Sequence, residues 1–154
     1  MKINHFTMAL VSAWLLLTAV PSHAKAVTSN EHQAVVDTAL RYFNGVASGD
    51  QAMLAKAFDM EYGDIKMLRV DDKTGKETIK TLPLSEFAKV FKQATKDTWE
   101  AEVLSVDIVK NKMAMVKLNF DTPKTNYIDY LVLHKRNGQW RIVNKTFVAE
   151  KKAE

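Results

Sequence analysis

The sequence predicts an α+β protein in which three helices, the third after an early hairpin, pack on a strongly curved antiparallel sheet to form a cone. Three observations carry this reading. Apolar residues recur at helical spacing between Val35 and Val46. From Thr98 onward the apolar period changes to two. Asn137-Gly138 lies between two apolar runs, the strongest short signal for a two-residue hairpin.

The elements follow in order. Thr28-Ser29-Asn30-Glu31 has the spacing of a capping box, and Val35, Val36, Ala39, Leu40, Phe43 and Val46 form the buried stripe of the first helix. Ser48-Gly49 stops it. Asp50 caps a short second helix with Met53, Leu54, Ala57 and Phe58 on its apolar face. An extended segment over residues 61–70 and a polar turn over 71–76 return the chain through residues 77–82 to Pro83. Ser85 is the expected N-cap of the third helix, with Phe87, Val90, Phe91 and Ala94 as its stripe.

Two hairpins complete the sheet. A three-residue loop, Lys110-Asn111-Lys112, puts Leu104, Val106 and Ile108 on one face with Ala114, Val116, Leu118 and Phe120. In the last hairpin, pairing Arg136 with Gln139 sets Leu133 opposite Ile142, Leu131 opposite Asn144, and Asp129 opposite Thr146. Trp140 shares that face. Ile128, Tyr130, Val132, His134, Arg141, Val143 and Phe147 share the other. Both faces are substantially apolar, so one should cover the helices and the other should meet a second subunit, giving a homodimer.

Composition bounds the function. The 154 residues include no cysteine, which excludes disulfides, thiolate nucleophiles and Cys-ligated metals. An apolar fraction of 47% excludes wholesale disorder. Lys2, the 15-residue apolar run from Phe6 to Val20 and the Ser22-His23-Ala24 cleavage pattern read as a signal peptide, residues 1–24. The run falls short of the roughly 20 residues that span a bilayer. Cleavage after Ala24, or after Ala26, leaves about 130 residues with a net charge of about +3. The expectation is one periplasmic or secreted domain, residues 25–154, without a membrane anchor after cleavage. Lysines are interspersed with acids and form no basic stripe, so no nucleic-acid partner is expected. His32 and His134 lie far apart and give no metal site. No phosphate loop or dinucleotide fingerprint is present, and no cofactor is expected.

Several runs carry a family resemblance. IDYLVLHKRNGQWRIVNKTF resembles the closing hairpin of the exported lumazine-binding proteins of the nuclear transport factor 2-like superfamily, which also includes SnoaL-type cyclases and ketosteroid isomerase. SVDIVKNKMAMVKL resembles the preceding hairpin, with Lys110-Asn111-Lys112 where the family usually has a turn glycine. RYFNGVASGD, with Phe58 nine residues after Gly49, resembles the N-terminal helices. The resemblance implies a cone-shaped fold around a pocket.

It also implies candidate chemistry. Tyr42 and Asp129 resemble the two oxyanion donors of ketosteroid isomerase, a helix tyrosine and a carboxylic acid. The position of that enzyme's base falls on Lys66, with Asp64 two residues earlier; these two are the candidate catalytic groups. A lysine where the base belongs weighs against proton shuttling. The leading expectation is therefore a non-catalytic module for a small organic molecule. Its pocket would be lined by Tyr42, Phe58, Tyr62, Trp99, Leu131, Trp140 and Ile142, with Asp129 and Asn144 as polar groups. The alternatives are a lyase or isomerase working through an enolate, and an interaction module using the outer sheet face.

Overall fold

The computed structural model describes residues 29–153. The expected signal segment and Thr28 of the capping box lie outside the described residues. The elements are α1 (Ser29–Ser48), α2 (Gln51–Ala57), β1 (Asp64–Val70), β2 (Glu77–Pro83), α3 (Leu84–Ala88), β3 (Glu100–Val109), β4 (Met113–Asp121), β5 (Thr125–Arg136) and β6 (Gln139–Lys151).

Helix α1 buries Val35, Ala39, Tyr42, Phe43 and Val46 on the sheet. Among the described residues, Glu31 bonds across to the last hairpin. Its carboxylate accepts from Lys135 Nζ at 2.5 Å and from Trp140 Nε1 at 2.9 Å, latching the start of α1 to the last hairpin. Asp50 caps α2, its side chain accepting from the Met53 amide at 2.9 Å. Asp50→Ala should lower stability by about 1 kcal/mol, measured by urea denaturation, because that amide loses its acceptor.

The third helix is shorter than its apolar stripe predicts and begins after Pro83 with no side-chain cap, so Ser85 is not its N-cap. The Gln51 side-chain amide donates to the carbonyls of Ala88 and Phe91, competing for the acceptors that a continuing helix would use. Val90 therefore falls beyond the helix and is exposed.

The six strands form one sheet in the order β2-β1-β6-β5-β4-β3. The expected all-antiparallel sheet needs one correction, since β1 runs parallel to β6. Phe58 already bridges Ile142 in the parallel sense, and the Asp59 amide donates to the Ile142 carbonyl at 2.8 Å, so the chain leaving α2 enters alongside β6. The β3–β4 loop has the expected three residues, with Val109 opposite Met113. Lys110 and Asn111 both take positive φ there, at 51° and 52°, where a glycine would be unstrained.

Two bulges revise the expected faces. Between Val103 and Ser105 the register shifts, so Leu104 is displaced and exposed while Val103 and Ala101 pack on the core. Between Val132 and Leu133 the β5–β6 register also shifts. Arg136 pairs with Gln139 and Leu133 with Ile142, but beyond the shift Leu131 faces Lys145 and Asp129 faces Phe147. The extra residue is Val143. It turns Lys145 and Phe147 inward and puts Asn144 and Thr146 on the outer face.

Candidate functional site

The inward turn of β6 builds the most distinctive feature of the molecule. Tyr42 from α1, Asp129 from β5 and Lys145 from β6 meet under the sheet. Tyr42 Oη donates to Asp129 Oδ2 at 2.9 Å, and Lys145 Nζ donates to Oδ1 at 2.5 Å. Asp129 is fully buried and Lys145 is 3% exposed. Lys145 Nζ also lies 4.4 Å from the Phe147 ring centroid and 5.5 Å from that of Tyr42. These aromatic faces favour a cation.

The three residues lie on the wall of a cavity of about 560 Å³, within the usual range for small-molecule sites. Its apolar lining includes Val46, Met67, Phe87, Phe91, Trp99, Phe120, Tyr127 and Phe147. Phe120 organises much of this wall, with ring centroids 5.5 Å from Trp99, 5.9 Å from Tyr127 and 6.0 Å from Tyr42. Exposed Arg69, Asp97 and Lys124 stand at the rim. Among the described residues neither rim cation makes an ion pair.

Burial is the main force on the titrating groups. It pushes the Tyr42 phenol well above its ordinary value, and the Asp129 charge adds to the rise. Burial pushes the Lys145 ammonium down, with Asp129 acting against it. Tyr42 should therefore ionise only late in an alkaline absorbance titration. Replacing Tyr42 with Phe should remove only the late step.

The structure brings together three of the sequence-predicted site residues, Tyr42, Trp99 and Asp129. Phe58 packs against Tyr42 at 5.3 Å between centroids but is sealed in the core. Leu131 and Ile142 are likewise fully buried core. Trp140 is at the far end, bonded to Glu31. Tyr62 is 69% exposed and packs under Arg136, 5.2 Å from its ring, outside the cavity. Asn144 faces outward and donates to Asp64 Oδ1.

Asp64 and Lys66 are also outside the cavity. They form a partly exposed ion pair of 2.6 Å, and Lys66 together with Asn144 holds the Asp64 carboxyl below its ordinary value. Strand alternation explains the placement, because Met67 and Arg69 are the β1 residues that line the cavity. The candidate base thus points to the wrong face. Asp129 is also not the donor that the oxyanion reading requires, because both of its oxygens accept hydrogen bonds. Sequence reasoning missed Val46, Met67, Phe87, Phe91, Phe120 and Tyr127 of the apolar lining and, on β6, the pair Lys145 and Phe147. The only signal for that pair was the β6 bulge, which alternation did not reveal because both faces of the hairpin are apolar.

A helical layer on a curved six-stranded sheet, with a cavity between them, is the nuclear transport factor 2-like architecture. Solved structures agree at the level of fold. A protein of that class of unknown function from Shewanella baltica superposes with a TM-score of 0.69 at 21% identity, covering 82% of this chain and 99% of that one. A ketosteroid isomerase-like protein from Erwinia carotovora atroseptica superposes with a TM-score of 0.58 at 13% identity, covering 82% and 99%. The sequence profile described as "Putative lumazine-binding" matches residues 30–148, and the chain belongs to this family. A curated relative, the aldolase FrzH of a Cladobotryum species, is 27% identical over 128 residues, 80% of this chain and 95% of that protein.

Proposed function

We propose that the chain is a small-molecule-binding domain that takes an apolar, ring-containing guest into the 560 Å³ cavity. The observation that carries this reading is the buried Tyr42–Asp129–Lys145 cluster on the wall of an aromatic-lined cavity. The guest's ring system would lie against Trp99, Phe120 and Tyr127, and a polar group would engage Tyr42 or Lys145. An anionic group would suit the rim near Arg69 and Lys124. Burying about 200 Å² of guest apolar surface would contribute about 5 kcal/mol gross. That falls below the roughly 8 kcal/mol of micromolar affinity, so the polar cluster must contribute.

The reading extends to compartment and assembly. The residue 1–24 pattern supports export. The outer sheet face carries exposed Val109, Met113, Met115, Tyr130 and Val148, which supports a homodimer of this chain through that face. Family membership supports ligand binding.

The test is native mass spectrometry of the protein from its own source, followed by titration of any recovered molecule. Asp129→Asn should bind it about tenfold more weakly while remaining folded, because the charge-assisted bond that orients Lys145 is weakened. Unchanged affinity would remove the cluster from the site.

A catalytic reading is the second one, favoured by the aldolase relative and by a buried ammonium in the cavity. In it Tyr42 and Lys145, rather than Asp129, would be the donors toward a developing oxyanion.

A further inference from the structure

We infer that Lys145 is an amine nucleophile that captures an aldehyde or ketone group of the guest as an iminium. The inference rests on the cavity being the binding site, and it names the class of guest that the site is built for.

Two observations, burial and a place on the cavity wall, separate Lys145 from the other paired lysines. Lys66, Lys89 and Lys152 pair with carboxylates at the exposed surface, and Lys135 anchors a helix end. Lys145 is buried, yet it lines the cavity. Its carboxylate partner lies at 2.5 Å, in the position of a proton acceptor. As a purely structural device the pair makes a poor case, since a buried ion pair is commonly no more stabilising than apolar residues of the same volume. Desolvation of a lysine in an apolar pocket is the general means of exposing its amine, and burial acts on Lys145 in that direction.

The step balances without a co-reactant. The Lys145 ammonium passes one proton to Asp129 Oδ1. The free amine attacks the carbonyl carbon, forming the C–N bond and breaking the C=O π bond. The nitrogen then transfers a proton to the new alkoxide, giving a neutral carbinolamine. Asp129 returns its proton to the hydroxyl, which leaves as water while the nitrogen lone pair forms the C=N bond. The products are a protonated imine, one water and the original Asp129 carboxylate. Tyr42, bonded to Oδ2, holds the carboxylate in place throughout.

The test uses naphthaldehyde as the carbonyl probe, with cyanoborohydride to reduce any iminium to a stable secondary amine near neutral pH, followed by peptide mass mapping. Binding in the cavity holds the probe beside Lys145 while burial favours its free amine, so adduct at Lys145 should exceed that at any exposed lysine by about tenfold. Lys145→Arg, which keeps a cation beside Asp129, should lose this adduct and leave the surface labelling unchanged. Methylnaphthalene, which has no carbonyl, serves as the occupancy control through quenching of Trp99 fluorescence and protection of Lys145. Quenching by methylnaphthalene without preferential labelling of Lys145 would overturn the imine and leave the binding reading standing. Absence of both quenching and labelling would overturn the two together.

Discussion

Lys145→Met should lower the unfolding free energy by about 3–5 kcal/mol, the range seen when one member of a buried ion pair is removed. The cause is the carboxylate left behind rather than the lost attraction. Asp129 is fully buried, and in the variant it would keep only the hydrogen bond from Tyr42. Adding Asp129→Leu removes the stranded charge. The double variant should recover part of the loss, because two apolar side chains suit the Phe147 and Tyr42 surroundings while the buried Tyr42 hydroxyl loses its acceptor. Urea denaturation of the two single variants and the double gives the coupling directly. Additive losses in the double variant would show that the pair does not act as a unit.

Gly49→Ala should be comparably damaging, at about 2–5 kcal/mol. Gly49 ends α1 with φ at +66°, a conformation costing about 1–2 kcal/mol for a residue with a Cβ. A Cβ there would also lie 2.5 Å from the backbone nitrogen and carbonyl carbon of Gln93. That backbone is fixed nearby by the bond from the Thr95 amide to the Ala47 carbonyl at 2.8 Å, so it yields only with rearrangement, adding about 1–3 kcal/mol. Gly75→Ala is the matched control. It has the same φ, but nothing lies within 4 Å of its Cβ position, so only the backbone cost remains. Equal losses at the two sites would remove the steric part of the argument.

The hairpin register illustrates what the sequence reveals and what it hides. Asn137-Gly138 correctly sets Arg136 against Gln139 and Leu133 against Ile142, because turn geometry acts over a few residues. One extra residue at Val143 then reverses every later side chain on β6. Alternation resists such an error only where one face is polar, and here residues of both faces are apolar. The consequence was specific. Asn144 stood in the predicted site where the structure has Lys145, and the basic half of the buried pair went unseen. Tyr42 and Asp129 were legible because the family resemblance fixed them from independent elements. The short third helix was hidden for a different reason. Its end depends on the Gln51 side chain, distant in sequence, taking up carbonyls at Ala88 and Phe91.

The Glu31 latch has a consequence for how the molecule can be held. It fastens the start of α1 to Lys135 and Trp140, beside the Asn137-Gly138 turn. The cavity rim lies at the other end of the same strands, near Lys124 and Thr125. The ten residue steps of β5 from Thr125 to Lys135 span about 33 Å at strand rise. The start of α1 therefore lies at one pole, and the cavity rim lies at the other. A tether or sensor surface coupled ahead of α1 would hold the molecule by its closed end and leave the cavity entrance facing solution.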